Sequence, residues 1–189
     1  MILRHALRCA LAMYLAFVHA NTHADFMFAA FGDTPYIESE ERDFLSMIGH
    51  INAAAPAFSV HVGDFKSSWA PCTDALFRLR REQFAMFQAP LIYVPGDNEW
   101  QDCHRGGGPT SDPLERLAKL HTLFFADARS LGKQALPLTR QNAQYPEHVR
   151  WEHEGVLFVT LNAPGPRNNH LMPQEAVPRK KAKIGRAHV

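Results

Sequence analysis

Three short apolar runs in this chain each end in a Gly-Asp pair. Phe26 to Asp33 reads FMFAAFGD, Phe58 to Asp64 reads FSVHVGD, and Pro90 to Trp100 reads PLIYVPGDNEW. Runs of this length and composition are the pattern of parallel strands buried on both faces, and in open α/β sheets ligands bind beyond the carboxyl ends of such strands. Three endings of one kind predict a single edge at which three aspartates converge. Glycine lets the backbone turn sharply there, and aspartate supplies hard oxygen donors or a general base. Carboxylates gathered in one cleft repel each other unless cations lie between them, so the expected occupant is one or two metal ions. For any single Gly-Asp, a turn in which the aspartate bonds its own backbone is the simpler account. Repetition in register favours the site.

Between the runs the apolar spacing is helical. Ile37, Phe44, Leu45, Ile48 and Ile51 predict a helix over Tyr36 to Ala55, with Glu38, Glu40 and Glu41 at its start and Pro56 beyond its end. Leu76, Phe77, Leu79, Phe84 and Phe87 predict a second over Thr73 to Phe87. A third is expected over Ser111 to Ala126, capped by Ser111 or Asp112 with Pro113 in its first turn. These aromatic and leucine positions read as core. Gly106-Gly107-Gly108 lacks a following Lys-Ser/Thr and reads as a rim loop instead of a phosphate cradle. Leu131 to Arg150 is irregular in composition. Val156 to Leu161 (VLFVTL) predicts a fourth buried strand, closed by Pro164, Gly165 and Pro166.

With 189 residues, 46% hydrophobic and 21% charged, the chain suits one globular domain, expected over residues 25–178. Met1 to Ala24 reads as a secretory signal peptide: Arg4 and Arg8 precede an apolar run from Cys9 to Val18, followed by Val18-His19-Ala20 and Thr22-His23-Ala24 as cleavage patterns. The run is too short to span a membrane, so no membrane attachment is expected after cleavage, and the product is secreted or periplasmic. Cys72 and Cys103 then remain as an even pair in an oxidising compartment and predict a disulfide. Residues 25–178 carry 13 basic against 19 acidic side chains, a net of −6, because five basic residues crowd into 179–189 and Arg4 and Arg8 leave with the signal. An acidic body argues against nucleic-acid binding and suits cations.

Asp33, Asp64 and the Gly96-Asp97-Asn98-Glu99 block, in this order and spacing, resemble the calcineurin-like metallophosphoesterases, including purple acid phosphatases. The resemblance covers about Asp25 to Asn169. It implies an α/β fold that is the N-terminal half of an αββα sandwich, and two divalent or trivalent metal ions (Fe, Zn or Mn). Carried over, Asp33 binds the first metal, Asp64 bridges both, and Asp97 stands where the family has a metal-binding Asn. Asn98 stands where the family has the His that assists the phosphate or leaving group; a one-residue shift makes Asn98 itself a ligand. Pro35 occupies the place of the first block's histidine. Tyr36 or Lys66 could replace part of what is missing, and His104 is a candidate proton donor by proximity in sequence.

The implied chemistry is metal-assisted hydrolysis of a small phosphate mono- or diester, in which a hydroxide bridging the two metals attacks phosphorus in line. The alternative is a metal-binding or degenerate interaction domain without turnover, since Asn98 cannot transfer a proton as a histidine does. The closing KIGRAHV resembles the translation of a sequencing adapter, so residues 179–189 are expected to be a non-native basic tail and the reading frame to be truncated. The family's Gly-His-x-His block has no counterpart among His104, His121, His148, His153 and His170.

Overall fold

The computed structural model describes residues 25–105 and 111–163. The signal segment, the Gly106–Gly108 loop and the basic tail lie outside them. All three Gly-Asp runs form short strands: β1 (Ala29–Phe31), β2 (Ser59–His61) and β3 (Leu91–Tyr93). They make one parallel sheet in the order β1-β2-β3, with Ala30 opposite Val60 and Val60 opposite Ile92. Parallel neighbours place all three carboxyl ends on one edge.

The connections are helical, as parallel pairing requires. Helix α1 (Glu41–Ala54) starts later than its apolar spacing suggests. The Tyr36 backbone N–H donates to Glu40 Oε2 at 2.7 Å, and a 3-10 turn over Glu38–Glu40 precedes the helix. Helix α2 (Asp74–Phe84) is capped by Thr73, whose hydroxyl accepts from Leu76 N–H at 3.1 Å. Helix α3 (Pro113–Phe124) has Asp112 as its cap, accepting from Leu114 and Glu115 N–H, with Pro113 in the first turn. Among the described residues, no helix is long and apolar enough to cross a membrane.

The helices bury Phe44, Ile48, Phe77, Phe84, Leu120 and Phe124 against Leu91 and Tyr93 of β3. Helix periodicity overstates Ile37, Leu45 and Leu79, which are exposed, and misses Arg80 and Gln83, which are buried. Arg80 faces inward because every arm of its guanidinium is satisfied. Nη1 and Nη2 bond the Glu41 carboxylate at 2.9 and 2.7 Å, Nη1 also bonds Gln83 Oε1 at 2.7 Å, and Nε bonds Phe65 O at 2.8 Å.

The opposite face of the parallel sheet packs on a second, antiparallel sheet of β4 (Thr139–Arg140), β5 (Val149–His153) and β6 (Val156–Val159). Phe58 and Ile92 meet Val149 and Trp151, and Phe58 lies edge-on to Trp151 and Phe158 with ring centroids 5.4 and 4.9 Å away. Val156 to Leu161 is therefore not a fourth buried strand. It pairs with β5 through a two-residue turn at Glu154 (φ 48°) and Gly155 (φ 75°), and Val156, Leu157, Val159 and Leu161 are exposed. The stretch expected to be irregular supplies β4, and Leu131 bridges the outer edge of β3.

Cys72 and Cys103 form the expected disulfide, with Cα atoms 5.6 Å apart. Of the three tryptophans, Trp100 and Trp151 are buried, and Trp69, in the loop between Asp64 and Cys72, is 72% exposed.

Candidate functional site

The first two Gly-Asp turns are built alike. Asp33 (φ 57°) and Asp64 (φ 58°) both take the left-handed conformation, which costs a non-glycine residue on the order of 1 kcal/mol and persists where the surroundings fix it. Those surroundings are backbone bonds between loops. Asp33 N–H donates to Gly63 O at 3.1 Å, and Asp64 N–H is shared between the two carboxylate oxygens of Glu99 at 3.0 Å each. Gly63 (φ 96°) and Gly96 are required by this approach. A Cβ on Gly63 would stand 2.1 Å from Gly96 N, and one on Gly96 would stand 2.0 Å from Asp64 Oδ1.

The third turn differs. Asp97 uses its carbonyl to accept from Trp100 N–H at 3.3 Å and Asp102 N–H at 3.0 Å, which runs the block into a 3-10 turn over Gln101–His104. Its neighbour Asn98 donates a backbone N–H to Asp64 Oδ1 at 3.0 Å. Asp64 is thus tied twice to the third loop, its neighbour Gly63 is tied to Asp33 of the first, and Asp33, Asp64 and Asp97 stand at three adjacent strand ends. An open groove beside the second and third turns is lined by Val62, Asp64, Val94, Gly96, Asp97 and Leu161.

Glu99 is the buried knot of the edge. It is wholly enclosed, and its Oε1 accepts from the Tyr93 hydroxyl at 2.8 Å and Gly96 N–H at 2.9 Å as well as from Asp64. Burial, and then the Asp64 charge, push its carboxyl up to about 8. Burial also lifts Asp97, to about 6, with the charges of Asp64 and Asp102 adding to it. The Tyr36 hydroxyl donates to Asp33 Oδ1 at 2.7 Å, and its pKa is raised by burial first and by that bond second, with the Asp64, Asp33 and Glu99 charges contributing.

Lys66 and Asn98 clamp the second loop to the third. Lys66 Nζ donates to Asn98 O at 2.6 Å and to Ser67 O at 2.8 Å, while Asn98 Nδ2 donates back to Lys66 O at 3.0 Å. The disulfide lies against the same carbonyl, with Cys72 Sγ 3.7 Å and Cys103 Sγ 3.9 Å from Asn98 O. Asn98 is buried, and its amide nitrogen is committed to this clamp. His104 is held within its own turn: Nδ1 lies 2.7 Å from Gln101 O, so it carries the proton, and Nε2 accepts from Arg105 Nε at 3.2 Å. Neither ring nitrogen bonds a strand-end carboxylate.

Two residues to which sequence reasoning gave no role shape the edge. One is Glu99. The other is His61, fully buried in β2, whose Nδ1 accepts from Gly63 N–H at 3.0 Å and so fixes the second turn. Burial holds His61 down at about 3, and the ring is neutral. Its one sequence signal is a polar residue inside an apolar strand, two places before the glycine.

The donor chemistry of Asp33, Asp64 and Asp97 fits a hard divalent cation, which would offset the burial and the repulsion that lift Asp97. As the side chains stand, no group of three or more His, Cys, Asp or Glu among the described residues encloses a metal position. Comparison of the chain with known protein families, with curated proteins and with solved structures finds no match.

Proposed function

We propose that this chain is a metal-dependent phosphoester hydrolase acting on a small phosphate mono- or diester, and that its layers are the N-terminal half of a metallophosphoesterase-type αββα sandwich. The observation that carries this reading is the parallel order β1-β2-β3, which sets the three Gly-Asp turns on the edge where α/β sheets bind ligands, with Asp33 tied to Gly63 and Asp64 tied to Asn98 and Glu99. Asp33, Asp64 and Asp97 would hold a divalent cation. Such an ion supplies Lewis-acid polarisation of a phosphoryl oxygen and activation of water.

The remaining work belongs to the chain's own residues. Glu99 accepts the Asp64 N–H and the Asn98 N–H donates to Asp64 Oδ1, so the Asp64 carboxylate is set before any ligand arrives. The Tyr36 hydroxyl orients Asp33. Val62, Val94 and Leu161 give the ester's organic portion an apolar wall beside Asp64 and Asp97. Export to an oxidising compartment is supported by the Cys72–Cys103 disulfide.

A second reading, a cation-binding domain without turnover, is favoured by one observation: the Asn98 amide nitrogen bonds Lys66 O and leaves the leaving group without that donor. The test is hydrolysis of p-nitrophenyl phosphate and bis(p-nitrophenyl) phosphate with Mn²⁺ or Zn²⁺, with metal binding measured alongside. Asp64→Ala is expected to abolish both binding and turnover. Turnover retained in Asp64→Ala rejects the site, whereas metal binding without any turnover in the wild type selects the second reading.

A further inference from the structure

We propose that Arg105 is the anion-binding residue of this edge, held so that its guanidinium grips a terminal phosphoryl group, and that the substrate is therefore a phosphate monoester. The inference rests on the proposed hydrolysis and narrows its substrate class.

A phosphate ester that approaches an edge of carboxylates needs a cationic partner at the rim. The segments that follow β1, β2 and β3, residues 32–40, 62–73 and 94–105, contain two Lys or Arg side chains, Lys66 and Arg105. Lys66 is 1% exposed, and its Nζ is committed to Asn98 O and Ser67 O. The Arg105 side chain is 42% exposed. Of the two, Arg105 alone is open to a ligand.

The turn that carries Arg105 hangs on the third Gly-Asp block. Asp102 N–H donates to Asp97 O at 3.0 Å, and Arg105 N–H donates to Asp102 O at 2.8 Å. The guanidinium is then held at two points. Nε donates to His104 Nε2 at 3.2 Å, and Nη1 lies 3.3 Å from Oδ1 of the buried Asp102. His104 accepts there because its Nδ1 proton goes to Gln101 O at 2.7 Å. Two contacts fix the plane of a rigid group, where neutralising Asp102 needs only one. Among the described residues nothing bonds Nη2.

The form of the guanidinium selects the ester. It takes phosphate through two parallel N–H···O bonds, which use two unesterified oxygens. A monoester keeps a third, free to face the strand-end turns where the proposed hydrolysis takes place. A diester has no third oxygen, so it cannot meet both.

The experiment measures kcat/KM of the full chain for p-nitrophenyl phosphate and bis(p-nitrophenyl) phosphate, and the affinity for inorganic phosphate by calorimetry, with Mn²⁺ present throughout. The proteins are wild type, Arg105→Gln and Arg105→Lys. The wild type is expected to prefer the monoester. In Arg105→Gln, kcat/KM for the monoester and the affinity for phosphate should each fall about tenfold or more, and kcat/KM for the diester less than about threefold. Arg105→Lys keeps a charge beside Asp102 without the two-point grip, and should lose most of the same preference. A wild type that prefers the diester overturns the inference, as does an equal loss on both esters or no loss on either. If circular dichroism shows Arg105→Gln unfolded, Arg105→Lys decides alone. No turnover of either ester by the wild type rejects the proposed hydrolysis, and phosphate calorimetry then judges Arg105 separately. Affinity lost in the variants supports the anion site; affinity equal in all three proteins, or absent, overturns it.

Discussion

At the scale of single residues, the edge is held by groups whose importance is invisible one at a time. Asp33 and Asp64 were legible in the sequence because each follows a glycine at the end of an apolar run. Glu99 was not, because a glutamate in the polar stretch GDNEW carries no mark of enclosure. Its burial arises only when Tyr93 and Gly96 of its own run and Asp64 of the second run come together to bond it. His61 makes the same point and yields a prediction. Its folded pKa of about 3, set by burial and secondarily by the Arg80 charge, lies below the ordinary histidine value of 6.5. Between those values the unfolded chain binds the extra proton, so the His61 contribution makes stability rise with pH and fall on acidification. His61→Asn keeps an acceptor for Gly63 N–H and removes the titration. Urea unfolding from pH 3.5 to 7 should find that the stability gap between wild type and His61→Asn narrows toward acid; a constant gap would show that His61 does not titrate on unfolding.

At the scale of elements, helices were read well and strands unevenly. Apolar spacing located all three helices, and Thr73 and Asp112 stand at the caps that their side-chain chemistry suits. VLFV, by contrast, reads the same whether a strand is buried in a parallel sheet or lies exposed in a hairpin. The Glu154-Gly155 turn decides for the hairpin, and that signal is only two residues long. The disulfide acts at this scale too, since it joins the loop before α2 to the turn before α3 across 31 residues of sequence. Closing a loop of that length is worth roughly 3–4 kcal/mol by chain entropy. Cys72→Ser/Cys103→Ser should lower the urea midpoint correspondingly, and non-reducing peptide mapping of the wild type should recover the linked pair. Free thiols at both positions would remove the covalent tie on the third loop.

At the scale of the whole molecule, the parallel sheet has helices on one face and an antiparallel sheet on the other, and its carboxyl edge stays open beside the groove. The sequence predicted the α/β class and the placing of the three Gly-Asp turns at one sheet edge. It could not predict the second sheet's place, because packing of Phe58 on Trp151 and Phe158 is decided by residues roughly a hundred positions apart. The uneven burial of the tryptophans gives the folded chain an optical signature. Trp100 and Trp151 are sealed in the two cores, while Trp69 stands in solvent beside the second Gly-Asp loop. Acrylamide should extinguish one fraction of the emission readily and leave the rest, giving a downward-curving quenching plot that loses its accessible component in Trp69→Phe. A uniformly quenched wild type would contradict that burial. With the signature in place, the light from one indole reports on the loop that holds Lys66, with no label attached and no turnover required.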